Sequence, residues 1–158
     1  MAASLKWVFL VYRLPREPST PRIALWRRLR RLGVVQIADG VVALPLDART
    51  KEQLEWVAEE VVEAGGDATL WIAEAGSAAQ ERALAERMAS AVARDYVGLI
   101  AGAEEAARGS TAARTRALRR LRRELRSIAG RDFFPPPEAA AARRAVEGLS
   151  AGAREVSA

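Results

Sequence analysis

Residues 34–45 read VVQIADGVVALP, and the reading of this stretch decides the fold. Two short β-branched runs flank Asp39-Gly40, and both turn residues tolerate positive φ, so the stretch predicts a tight β-hairpin. Upstream, Ser19-Thr20-Pro21 predicts a helix start, with a hydroxyl residue at the cap and proline at the first helical position. That helix stops at Gly33. Before it, KWVFLVYRL (6–14) is rich in aromatic and branched residues and closes at Pro15, which predicts a strand. Its near-continuous apolar character places it centrally in a sheet. Downstream, Thr50-Lys51-Glu52-Gln53 reads as a capping box opening a second helix, which Gly65-Gly66 ends. Leu54, Val57, Ala58 and Val61 fall on one face of it. ATLWIAEA (68–75) supplies the last strand.

The order over residues 1–76 is therefore β-α-β-β-α-β, the ferredoxin-like split β-α-β pattern of an α+β domain. Four antiparallel strands would carry both helices on one face and leave the other open to a partner. Residues 77–158 read differently, as a C-terminal α-helical hairpin with a short appendage. Ser77-Ala78-Ala79-Gln80 is a second capping box, and Leu84, Met88, Val92, Tyr96 and Leu99 recur at helical spacing. Gly98 and Gly102 are expected to bend or weaken that helix. Gly109-Ser110-Thr111 is a turn and a new cap, after which Leu118, Leu121, Leu125 and Ile128 form an amphipathic stripe. Two antiparallel helices at about 78–108 and 111–129 follow, then RDFFPPP (131–137), a short helix at about 137–148 and a frayed tail.

Composition narrows the chemistry. Among the 158 residues there is neither cysteine nor histidine. The first absence excludes disulfides and thiolate sites, the second the commonest general base and metal ligand. No nucleophile, phosphate loop or converging carboxylate pair stands out, because Glu59-Glu60 and Glu104-Glu105 are adjacent on helices and point about 100° apart. The expectation is a protein that is not an enzyme, with no catalytic residues, no metal and no cofactor. Residues 1–4 do not open a secretory signal, and no apolar run has the length of a membrane span, which points to a cytoplasmic protein without a membrane partner.

The net charge of +5 conceals a segregation. Seven arginines against Glu17 alone lie between Arg13 and Arg31; twelve acids against five bases lie between Lys51 and Arg108; eight arginines against Glu124 alone lie between Thr111 and Arg131. Clustered charge governs partners more than total charge does. On a helical wheel Leu25, Leu29 and Leu32 define the buried side of the first helix, with Trp26 on its flank. Arg27, Arg30 and Arg31 fall opposite, and Arg28 near a border. With Arg22 they form either a phosphate-binding ridge or a solvated face; the lack of acids at i±4 favours the ridge. The second basic helix offers Arg116, Arg119, Arg120 and Arg123, unless Glu81, Glu86, Glu104 and Glu105 of the preceding helix neutralise them. Trp56, on the acidic face of its helix, suits packing beneath a neighbouring element or a second subunit.

Four separated blocks carry a resemblance. KWVFLVYRLPREPSTPRIALWRRLRRLG, the Asp-Gly hairpin ending in VVALP, TKEQLEW and RDFFPPP together resemble the N-terminal region of the ChrB family of chromate-resistance regulators. The resemblance implies a cytoplasmic transcriptional regulator that binds promoter DNA and responds to chromate. A further C-terminal domain is expected in that family. A weaker likeness links residues 6–75 to the central domain of PaaX-type repressors and, through it, to CRISPR spacer-acquisition nucleases, which implies a homodimer. Where those nucleases carry an aspartate at the end of the first strand, this chain has Arg13, a cation that cannot ligate Mg²⁺. For chromate, a tetrahedral dianion, Arg13 and Arg16 are candidate oxyanion ligands, though no spacing singles out a pocket. The alternative function is a dimerisation or protein-interaction module that makes no DNA contact.

Overall fold

The computed structural model describes residues 4–155. The chain divides into two compact units at Arg87/Met88. In the first, the elements run β1 (Lys6–Arg13), α1 (Thr20–Leu32), β2 (Val35–Ala38), β3 (Val41–Pro45), α2 (Ala48–Glu63) and β4 (Asp67–Glu74), followed by the opening turns of α3 (Ala78–Ala107). The sheet order is β2-β3-β1-β4 with every pairing antiparallel. This is the ferredoxin-like arrangement that the hairpin implied, with β1 central as its apolar run demands. The hairpin is irregular in one respect, a register shift between Gln36 and Ala38 that leaves Ile37 as the extra residue.

Val8 and Leu10 of β1 stand opposite Leu44 and Val42 of β3, so the four share a face. All are buried, as are Leu25 and Leu29 of α1 and Leu54, Val57 and Val61 of α2. The other face is only partly open. Trp7, Ala43 and Val35 are buried there, at the end where α3 is tied to the sheet. Leu5 N–H donates to Glu81 Oε1 at 2.7 Å, and the Arg87 guanidinium donates to the Gln36 carbonyl at 2.6 Å. Trp71, at 60% exposure, marks the end that stays open.

Two local expectations are corrected. The cap of α2 is Asp47, not Thr50: Asp47 Oδ1 accepts from Thr50 N–H at 2.7 Å while Thr50 Oγ1 accepts from Asp47 N–H at 2.9 Å. Thr50 also donates to the Pro45 carbonyl at 2.6 Å, so it closes the box from the third helical position and is fully buried. Ser19 caps α1 in sequence only, making no side-chain cap bond, and Pro21 follows Thr20 as the second helical residue. Gly65-Gly66 does end α2, but Gly66 does more than stop a helix. A Cβ there would lie 2.2 Å from the Arg13 carbonyl oxygen and 2.9 Å from Val61 Cγ1. Gly66→Ala is therefore expected to destabilise the first unit by about 1–3 kcal/mol through overpacking, measured as a lower urea midpoint at unchanged slope.

In the second unit the later turns of α3 run antiparallel to α4 (Thr111–Ala129), and α4 antiparallel to α5 (Pro137–Glu155). The pairing is read from contacts: Arg114 donates to the Ala107 carbonyl, Tyr96 to Asp132, and Arg122 to Glu147. Val92, Tyr96, Leu99, Leu121, Ile128, Ala142, Val146 and Leu149 form one buried cluster, so the expected hairpin gains a third full helix. Two expectations change accordingly. α5 reaches Glu155 rather than ending near 148, because Val146 and Leu149 bury there; residues 156–158 of the expected frayed tail lie outside the described residues. α3 stays helical through Gly98 and Gly102, the latter admitting Leu121 to within 3.4 Å of a Cβ position.

Tyr96 donates to Asp132 Oδ2 at 2.8 Å, and its hydroxyl pKa is raised to about 12, first by burial and then by that hydrogen bond. A phenol whose pKa is raised by folding stabilises the fold fully below its unfolded value of about 10, and the contribution is lost as pH rises through about 12. Tyr96→Phe should lose stability at neutral pH, because the half-buried Asp132 carboxylate loses its donor. It should also flatten the fall in stability between those two pH values, as followed by denaturant midpoints at stepped pH.

Candidate functional site

The end of β1 and the 3.6-residue period of α1 bring a set of arginines to one place. Residues 11–14 at the end of β1, one stripe of α1 and the tip of the β2–β3 hairpin enclose a cleft of about 1030 Å³. The stripe comprises Ser19, Arg22, Ile23, Trp26, Arg27 and Arg30, which recur at helical spacing beside the buried Leu25. Arg13 enters from the strand. The hairpin tip is laced to the strand by Tyr12 N–H donating to the Gly40 carbonyl at 2.8 Å. Gly40 has φ of 73°, and a Cβ there would lie 2.5 Å from the Tyr12 oxygen, so this wall of the cleft requires glycine.

Four arginines, Arg13, Arg22, Arg27 and Arg30, thus line one cleft against a single acidic residue, Asp39. Burial pushes the Tyr12 hydroxyl pKa up; Arg22 opposes that shift and Asp39 adds to it, which places both charges within reach of the phenol. Tyr12 is consequently a neutral donor at physiological pH. Such a cleft can take an anion through forked, charge-assisted hydrogen bonds.

The remaining sequence candidates lie elsewhere. Arg28 forms an ion pair with Glu60 of α2, and Arg31 shares with them a smaller hollow on the other flank of α1. The ridge read from the wheel therefore divides, with Arg27 and Arg30 in the cleft and Arg31 on the far flank. A wheel gives angles but not the neighbouring elements that rise beside a helix. Arg16 is exposed in the β1–α1 turn and does not line the cleft.

On α4, Arg116, Arg119, Arg120 and Arg123 are all exposed. Arg120 reaches Glu124 at 3.8 Å; Arg116, Arg119 and Arg123 make no ion pair among the described residues. Of the acids expected to neutralise this helix, two are engaged otherwise: Glu81 accepts from Leu5, and Glu105 pairs with Arg108. Two other arginines find carboxylates: Arg122 holds Glu147 through two bonds of 3.1 and 3.0 Å, and Arg131 reaches Asp95 at 3.0 Å. The Arg122 hydrogen bond lowers the Glu147 pKa.

Sequence reasoning missed the partners of the cleft arginines. Tyr12, Gln36 and Asp39 belong to the strand before α1 and the hairpin after it, and the folded sheet sets them beside its arginines. Trp26 carried a usable signal, since it lies four residues from both Arg22 and Arg30 and so on their face.

The family described as Protein ChrB, N-terminal, matches residues 22–108 of this chain. The chain belongs to the ChrB N-terminal family. That span takes in α1 to α3, and with them Arg22, Arg27 and Arg30 of the cleft, while Arg13 precedes it. Protein ChrB of Cupriavidus metallidurans is 30% identical over 132 residues, which cover 82% of this chain and 40% of that protein. The chain thus spans less than half the length of its ChrB relative. No solved structure matches it. No helix among the described residues is long and apolar enough to cross a membrane.

Proposed function

We propose that this ChrB-family chain is the DNA-contacting part of a chromate-responsive transcriptional regulator of a chromate-resistance operon. The observation that carries the reading is the face of α4, where Arg116, Arg119 and Arg123 stand exposed at helical spacing without ion-pair partners among the described residues. Arginines engaged in a salt-bridged surface would not be available to phosphate; these are. From Arg116 to Arg123 the helix rises by about 10 Å, at 1.5 Å per residue, a reach that suits successive backbone phosphates. The cleft arginines add a second anionic site, and chromate as effector would find Arg13 there with Arg22, Arg27 and Arg30. The regulator acts in the cytoplasm as a homodimer, without catalysis, metal or cofactor.

Promoter DNA incubated with the chain at two salt concentrations, with and without chromate, tests this in a gel shift. Binding that weakens steeply with salt and changes on adding chromate supports it; a chain that leaves the promoter unshifted at low salt ends it. A second reading, an interaction module that does not touch DNA, is favoured by β4. This edge strand exposes Trp71 and Ile72 on opposite faces. A dimer in a sizing experiment that shifts no DNA would support that reading.

A further inference from the structure

The cleft beside α1 holds something that neither a DNA backbone nor a bare oxyanion explains. Two large apolar side chains, Ile23 (50% exposed) and Trp26 (39%), line the same cleft as the four arginines. Phosphate and chromate offer them nothing to bury against. Chromate, about the size of sulfate, also fills little of a cleft of about 1030 Å³, a volume typical of sites for drug-sized ligands. The chemistry fits a ligand with a flat apolar body and an anionic end.

The polar groups at the hairpin narrow the choice. Asp39 is an acceptor, and the Gln36 side chain carries both a donor and an acceptor; both line the cleft. A carboxylate in the wall disfavours an acyl chain, which would desolvate it without compensation. It suits the edge of a nucleobase that bears an exocyclic amine. Trp26 supplies a face for stacking, which is tolerant of base identity. Ser19, whose hydroxyl makes no cap bond, and Arg22 stand together at the start of α1, as donors to a phosphate.

We propose that the cleft between α1 and the β2–β3 hairpin binds a free mononucleotide, with its base on Trp26 and its phosphate on Ser19 and Arg22. The site gives this chain a second small-molecule input besides the oxyanion, and it does not depend on whether α4 binds DNA.

Isothermal titration of the full chain with AMP, GMP and CMP tests the assignment, against ribose 5-phosphate, inorganic phosphate and chromate. The nucleotides should bind at least about tenfold more tightly than the three ligands that lack a base, the advantage expected from one stacked base. Trp26→Leu should remove that advantage while leaving phosphate binding as it was, and Trp26→Phe should restore most of it. Arg22→Ala should weaken every ligand alike. Far-ultraviolet circular dichroism checks that each variant is folded. Equal affinity for nucleotides and ribose 5-phosphate would reduce the cleft to a bare anion site and overturn the proposal. So would the absence of nucleotide binding, or an unchanged preference in Trp26→Leu. A 5′-phosphorylated single-stranded oligonucleotide that binds more tightly than any mononucleotide would reassign the cleft to a DNA end. None of these outcomes alters the gel-shift result expected for α4.

Discussion

Replacing Arg116, Arg119 and Arg123 together by alanine is expected to lower promoter affinity about 100-fold at roughly 0.15 M salt. The estimate follows from counterion release: each arginine–phosphate contact contributes about 0.9 to the slope of log affinity against log salt, so three lost contacts flatten it by nearly three. The three side chains are exposed and make no ion pair among the described residues, so their removal should leave the fold intact. Arg122→Ala is the matched control. It removes a charge from the same helix, but one already committed to Glu147, and should change DNA affinity little. A second series, Arg27, Arg30 and Arg31 to alanine, asks whether α1 also touches DNA; unchanged affinity would remove that helix from the DNA interface. If the α4 triple variant binds with the original affinity and salt slope, the basic face of α4 is solvated surface and the proposed contact is wrong.

The second large effect concerns the sheet. Trp7 is fully buried, between Pro45 of β3 and Ala73 of β4 in register, and is the largest of the fully buried side chains. Trp7→Ala should cost about 3–5 kcal/mol, combining lost transfer energy with the cavity left behind. Against a typical total of about 5–15 kcal/mol, that is enough to leave the first unit marginal. Trp71→Ala is the contrast. Two strand tryptophans look alike in sequence, but Trp71 is 60% exposed and its loss should stay within about 0.5 kcal/mol. Urea unfolding of the two variants decides the matter. Similar midpoints would mean that the buried end of the sheet face does not stabilise the unit.

These two tryptophans also show where sequence reading stops. Each sits in a strand of alternating or continuous apolar character, and nothing local tells which end of the sheet face will be buried. That is settled where Glu81 and Arg87 of α3 attach to Leu5 and Gln36, contacts 76 and 51 residues apart in sequence. The helix cap of α2 is a milder case. Thr50 was legible as part of a capping box, but its assignment as the cap rather than the third helical residue depended on which oxygen met which N–H.

The elements themselves were set by the sequence alone, because strand and helix periods, Asp39-Gly40, and the glycine stops act over a few residues. From that order of elements the sheet topology follows, with β1 in the middle. What only the tertiary structure decided is which charges meet. Arg28 lacks an acid on its own helix and finds Glu60 on α2; Arg122 finds Glu147 on α5; Arg13 joins Arg22, Arg27 and Arg30 although nine residues and a turn separate it from the nearest of them. Coulombic and hydrogen-bonding partners are chosen by distance in space, and the sequence specifies that distance only through the completed sheet and its packed helices.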